Sequence, residues 1–229
     1  MSDPTADTSL TDPKARSRAM RELMWSDHGF LRVWFRNWHE VAPGMYRSNQ
    51  PSPAQLERAA TLGVRTVINL RGAIGTGMWR LEREACARLG LAMEDFTAKS
   101  RDTPSREFIH GINALFQRIA YPALMHCKSG ADRAGIAATL FLILKEGRSV
   151  KEARQQLSLR YLHVKQGKTG MLDHFFASFL HWAQRHGKPD DAATFLAWVD
   201  NVYDPAAVKS SFMESWWGNM LTERILRRE

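Results

Sequence analysis

Cysteine is scarce in this 229-residue chain, which holds two, Cys86 and Cys127. That excludes a disulfide scaffold and reads as two free thiols in a reducing, cytoplasmic compartment. Long apolar runs are also missing. The longest candidate, Ile136–Leu144, falls far short of the ~20 residues of a membrane span. Met1–Arg18 contains no apolar stretch of the kind that directs secretion. His110, His163, His174 and His181 lie at scattered spacings and no close cysteine pair exists, so no metal site is expected. There is no internal repeat and no low-complexity block. Acidic residues are outnumbered, 24 against 32 Lys and Arg, for a net charge of +8. A basic balance favours anionic partners: phosphate esters, acidic lipid surfaces or nucleic acid. Neither a stacking motif nor a groove-reading helix supports nucleic acid, which is therefore not expected.

With 44% hydrophobic and 24% charged residues, the chain has the make-up of a globular fold able to bury a large core. Residues 1–11 are polar and expected to be disordered. Pro13–Met24 permits a helix. An aromatic stretch follows (Trp25, Phe30, Trp34, Phe35, Trp38), expected to cover the main core rather than form a free arm. From Val41 strand and helix alternate. Short strands are predicted at Met45–Ser48, Val64–Leu70, Leu91–Phe96 and Tyr121–His126. Helices are predicted from Ser52 to Leu62, over Met78–Leu89 (stopped by Gly90), Pro104–Ile119, Arg133–Lys145, Val150–Leu159 and Met171–His186. Pro189–Val202 and Ala207–Arg228 read as further helices. The pattern predicts an α/β fold: a central, mostly parallel sheet flanked by helices, with helical N- and C-terminal extensions. The expected divisions are 1–40, 41–188 and 189–229. In such sheets sites form at the carboxyl ends of strands.

One loop fits that location. In Met125–Gly135 (MHCKSGADRAG), Cys127 ends a buried strand, five residues follow, and Arg133 opens an apolar helix. A helix N-terminus supplies unpaired N–H groups and the positive end of a dipole. The amides of Lys128, Ser129, Gly130, Ala131, Asp132 and Ala134 are placed to cradle an anion, with Gly130 permitting the required backbone angles. Arg133 adds a planar fork that matches two phosphate oxygens. A thiol in that field is expected to ionise readily and attack phosphorus.

These residues resemble the cysteine-dependent protein tyrosine and dual-specificity phosphatase superfamily, whose signature is His-Cys, five residues, then Arg. His126, Cys127 and Arg133 satisfy it. YRSNQP (Tyr46–Pro51) and VINLRG (Val67–Gly72) are similar to its bacterial dual-specificity-like branch, and the resemblance spans about Val41–His186. It implies a metal-independent, cofactor-free phosphomonoester hydrolase. Cys127 would form a cysteinyl-phosphate, a general acid would protonate the leaving oxygen, and water would then release phosphate. His126 would support the loop. The family commonly has a hydroxyl after the arginine; Ala134 stands here, which implies a slower second step or another donor. Asp102 occupies the family's usual acid position, and Asp95 falls within a predicted strand. Asp132 is the alternative acid, as in myotubularin-like lipid phosphatases.

Other residues stay open between a site role and a structural one. Lys128 resembles the loop lysine of phosphoinositide phosphatases. Arg71 ends a strand, so it faces the same crevice or forms a structural pair. Lys165–Lys168 flanks the pocket or is a solvated turn. Cys86 is a small core residue or a resolving thiol for Cys127. The C-terminal apolar spacing (Phe212, Met213, Trp216, Trp217, Met220, Leu221, Ile225) packs on the domain or is an arm for a partner or an acidic membrane surface. The expected substrate is phosphotyrosine in protein, with lipid or inositol phosphate as the alternative. Rival readings are a non-catalytic phosphate-binding module and, more remotely, a sulfur-transfer enzyme. Oligomeric state is not legible.

Overall fold

β-branched and apolar residues after Gly63 build the middle of a five-stranded sheet in the computed structural model, which describes residues 10, 12–22 and 37–226, with side chains to Trp217. The segment expected to be disordered and residues Trp25, Phe30, Trp34 and Phe35 lie outside the described residues, Leu10 excepted. The strands are β1 (His39–Ala42), β2 (Met45–Ser48), β3 (Thr66–Asn69), β4 (Ala92–Asp95) and β5 (Ala123–His126). Their order is β1-β2-β5-β3-β4; β1 runs antiparallel to β2, and every other pairing is parallel. Every residue of β3 and β5 is buried, as a parallel sheet covered on both faces requires.

Register carries the functional consequence. Ser48 pairs with His126, His126 with Asn69, and Asn69 with Asp95. Four parallel strands therefore end on one line, and the segments beginning at Asn49, Leu70, Phe96 and Cys127 leave the same edge.

The chain divides into two compact units, residues 1–98 with 117–138, and residues 99–116 with 139–229. The first holds the whole sheet, α1 (Pro13–Arg21), α2 (Pro53–Thr61) and α3 (Gly77–Leu89). Helix α2 starts as its sequence requires: Pro53 at the first turn, and a reciprocal cap in which Ser52 N–H donates to Gln55 Oε1 (2.7 Å) and Gln55 N–H to Ser52 Oγ (3.4 Å). Helix α3 ends at Gly90 in the left-handed region (φ 69°). Leu56, Ala59, Val64, Val67, Cys86 and Leu124 form a core here, with Trp38 and Tyr46 against it. Trp38, the described member of the aromatic stretch, thus covers the core.

The second unit is built on aromatic packing. Helix α7 (Met171–Arg185) places Phe175 and Phe179 against Phe195 and Trp198 of α8 (Ala192–Asn201), with Tyr203 closing the cluster. Helix α9 (Pro205–Leu226) lies on α7: Phe212 meets His174, and Trp216 Nε1 donates to the Gln166 carbonyl (3.2 Å). Phe212 and Trp216 thus pack, whereas Trp217 stays 54% exposed. The division falls inside α4 (Arg106–Arg118) and α5 (Asp132–Leu144).

The expected helix over Val150–Leu159 is one turn, α6 (Val150–Ala153), followed by 3₁₀ turns at Arg154–Gln156 and Leu159–Tyr161. Val150, Ala153 and Leu157 still bury at helical spacing, which is the signal that the sequence presents. The α-helical turn ends at Ala153, and the 3₁₀ turn that continues it stops where Leu157 leaves helical angles (φ −101°, ψ 77°). Among the described residues no helix is long and apolar enough to cross a membrane.

Candidate active site

Cys127 follows β5 directly and is buried, as is His126; both lie in the first unit. Residues 128–131 form a turn that leads into α5, whose first residues are Asp132 and Arg133, both half-buried. The strand–loop–helix order expected around the motif is present.

The loop's carbonyls show how the turn is held. Lys128 O accepts from the Gln50 N–H (3.3 Å), and Ser129 O from Asn37 Nδ2 (2.9 Å). Gly130 O and Ala131 O accept from one nitrogen of Arg47, at 2.7 and 2.9 Å. Four successive carbonyls are thus drawn to donors outside the loop. In a trans peptide the next N–H points opposite to the carbonyl. The amides of Ser129, Gly130, Ala131 and Asp132 therefore face the other side, which is the arrangement an anion cradle needs. Ala131 N–H also reaches Ser129 Oγ at 3.4 Å.

Gly130 is required here twice over. Its φ is 75°, and an added Cβ would stand 2.7 Å from Asn49 N and 2.8 Å from Ser48 C. The loop is thus seated against the end of β2. Arg47 is fully buried, so its donors meet the carbonyls away from water. Sequence reasoning did not single out Asn37, Arg47 or Gln50. The only signal was YRSNQP, which marks a resemblance and names no contact.

A buried chain of side chains runs behind the loop. His126 Nε2 lies 2.5 Å from Glu82 Oε1 on α3, both residues buried. Glu82 Oε2 accepts from Gln50 Nε2 (2.7 Å), and Gln50 Oε1 accepts from an Arg71 guanidinium nitrogen (2.9 Å). Arg71, expected at the strand end, is thereby joined to His126 through two residues. Glu82 was also missed.

Asp102 belongs to the second unit. Its carboxylate receives Lys209 Nζ at 2.9 Å and Lys99 Nζ at 3.4 Å. The hydrogen bond from Lys209, with help from Lys99 and against some desolvation, holds its carboxyl below the usual value. Asp95 is occupied by Trp79 Nε1 (3.0 Å) and Asn69 Nδ2 (2.7 Å). Cys86 sits in the core beside Leu56 and Val67; burial first, then Glu82 and Asp95, push its thiol up to about 12. Ala134 is fully buried at the start of α5.

A groove of about 390 Å³ in the first unit is lined by Trp38, Pro51 and Arg58 among others, and no residue from 126 to 134 lines it. Its floor shares Ser48 and Asn49 with the wall behind Gly130, but it holds none of the loop's chemistry. Among the described residues, no three His, Cys, Asp or Glu side chains converge as a metal site.

Comparison with known proteins agrees with this local architecture. A model of the tyrosine phosphatase family matches residues 35–148. The crystal structure of P. aeruginosa TpbA is similar in fold (TM-score 0.54, 16% identity, covering 72% of this chain and 92% of that one). A cysteine-to-serine form of TpbA in complex with pTyr gives 0.53 at 16% identity, with 72% and 91% covered. A putative phosphatase from Neisseria meningitidis gives 0.47 at 20% identity, with 59% and 96% covered. No curated protein matches the sequence.

Proposed function

On the premise that the chain belongs to the cysteine-dependent tyrosine phosphatase superfamily, we propose that it hydrolyses phosphomonoesters through a cysteinyl-phosphate on Cys127. The observation that carries this reading is the outward tethering of four loop carbonyls by Asn37, Arg47 and Gln50. It turns a run of amides toward one side, between a buried cysteine and an arginine on the first turn of α5.

In the first step Cys127 Sγ attacks phosphorus in line, an S–P bond forms, and the bond to the ester oxygen breaks. The leaving oxygen takes a proton from a carboxylic acid. In the second step water attacks phosphorus, its proton passes to the same carboxylate, and the S–P bond breaks to free phosphate. Arg133 and the loop amides neutralise the developing charge, so no step calls for a metal. The phosphatase domain of this reading is 41–188, with 189–229 as a helical extension, and both free thiols support a cytoplasmic location.

For the acid, the pairing of Asp102 with Lys209 and Lys99 favours its ionised form, the opposite of what a donor needs. That favours Asp132, which opens α5 directly after the loop. The default substrate is a phosphotyrosine protein. A lipid or inositol phosphate is the second reading, supported by Lys128, Asp132 and the net charge of +8. It is also supported by one surface of the second unit. Leu159, Leu162 and Val164 are 73%, 47% and 49% exposed, beside the exposed Arg160, Lys165 and Lys168. Lys168 Nζ lies over Trp216, next to the exposed Trp217. Apolar side chains among cations suit contact with an acidic membrane surface.

The test is turnover of p-nitrophenyl phosphate by the full chain, with trapping of ³²P on Cys127 by acid quench. Phosphate release without a trapped cysteine adduct counts against the covalent route. Binding without release supports a phosphate-binding module instead. Phosphotyrosine peptides and phosphoinositides compared side by side decide the substrate class.

A further inference from the structure

We infer that Glu82 is a positioning residue for Cys127, its buried carboxylate fixing His126 and, through it, the head of the phosphate loop. The inference rests on the phosphatase reading but concerns a residue outside the loop.

Glu82 occupies an unexpected place. On α3 the buried positions are Met78, Trp79, Leu81, Glu82, Ala85 and Cys86, the apolar stripe of an amphipathic helix. Glutamate is among the residues least often buried, and a buried carboxylate without partners is strongly disfavoured. One of its oxygens is hydrogen-bonded and the other lies against His126. Oε2 accepts from Gln50, and Oε1 lies 2.5 Å from His126 Nε2.

His126 needs that partner. It is fully buried, and its Nδ1 has no hydrogen-bond partner among the described residues. Its Nε2 stands against Glu82 Oε1 without the alignment of a hydrogen bond. Held as an imidazolium by that carboxylate, His126 would place a positive charge on the residue bonded to Cys127. That placement would stabilise a thiolate at 127, and the buried contact pins the peptide at which the loop begins.

The charges around the pair are few. Facing Glu82 are His126, the Cys86 thiol one turn along α3 with Asp95 beyond it, and Arg71 by way of Gln50. The loop itself brings Lys128, Asp132 and Arg133. Changing Glu82 to Gln keeps its size and leaves all of these in place.

The experiment uses the full chain and the variants Glu82→Gln, His126→Asn and the double variant. Alkylation of Cys127 by iodoacetamide is followed by peptide mass spectrometry from about pH 5 to pH 9, because only the thiolate reacts. Turnover of p-nitrophenyl phosphate is measured in parallel. Glu82→Gln is expected to move the alkylation midpoint up by about one pH unit, which is about tenfold slower reaction on the acid side. If Glu82 acts through His126, the double variant is no slower than His126→Asn alone. An unshifted midpoint, or losses that simply multiply in the double variant, overturns the inference.

Should Glu82→Gln lack a cooperative melt, Glu82→Asp keeps the charge and draws it back by one methylene. It is expected to shift the midpoint the same way by less, and no shift there overturns the inference too. Wild-type protein with a reactive Cys127 but no phosphate release would sink the phosphatase reading while leaving this alkylation test intact.

Discussion

Arg47 donates to the carbonyl of Gly130 at 2.7 Å, although 83 residues separate them and neither is exposed. The same nitrogen holds Ala131 O. A buried carbonyl stripped of its donor costs about 1–3 kcal/mol. Arg47→Met is therefore expected to destabilise the protein by about 2–4 kcal/mol in urea melts. It should also weaken phosphate binding at temperatures where the variant stays folded, because the carbonyls are free to turn inward. Retained phosphate protection against alkylation would show that the loop holds its own shape.

Two glycines with similar backbone angles separate strain from crowding. Gly63 has φ 82° with nothing within 4 Å of an added Cβ, whereas Gly130 has φ 75° and would meet Asn49 N at 2.7 Å. Gly63→Ala should cost about 1–2 kcal/mol, the left-handed penalty alone, and leave turnover unchanged. Gly130→Ala should abolish turnover, since backbone at Ser48 and Asn49 cannot move aside cheaply. Equal activity in the two variants would separate the loop's seat on β2 from the chemistry.

Cys127→Ser is expected to bind phosphate and release none, and chelators should leave wild-type rates unchanged. A rate that survives the serine change, or that falls with chelator, points to a different reaction.

The acid is resolved by leaving groups. A positioned acid contributes about 10²–10⁴-fold, most for poor leaving groups. Asp132→Asn should slow alkyl phosphate hydrolysis by about 10²-fold or more and p-nitrophenyl phosphate far less. If Asp102→Asn does this instead, the assignment passes to Asp102. Asp102 has a separate signature in stability. Its folded carboxyl titrates lower than in the unfolded chain, chiefly because Lys209 donates to it. Its contribution is present above the unfolded value, near pH ~4, and is lost as pH falls through the folded value. Asp102→Asn should therefore lower the melting temperature at neutral pH and flatten its decline toward acid.

The membrane surface is tested by sedimentation. Wild-type protein should pellet with vesicles containing phosphatidylglycerol and not with phosphatidylcholine alone. Serine at Leu159, Leu162 and Val164 should release it while leaving p-nitrophenyl phosphate turnover intact. Equal pelleting by the variant would exclude this loop.

Much of the candidate site was legible because it is local. Cys127, Gly130 and Arg133 lie within one strand–loop–helix segment, and burial of β5 and α5 follows from their apolar runs. The supports were not legible because they are made across the sheet. Arg47 looks like an ordinary strand residue until β2 is paired with β5. Glu82 sits among Arg80, Arg83 and Glu84, so it reads as one more charge on a solvated helix; only the fold reveals that it points inward. Asp102 is expected from its place on the loop before a helix, and that place does not report its pairing with Lys209 and Lys99. The expected helix over 150–159 is one turn because buried spacing of three and seven also survives in successive tight turns.

Since Asn37, Arg47 and Gln50 do the tethering, the signature by itself is not the trap. A fragment begun at residue 51 would carry every letter from His126 to Arg133 and still be an open ribbon. Grafting those eight letters onto another strand–helix junction would transplant the cysteine and the arginine without the hands that shape the turn between them.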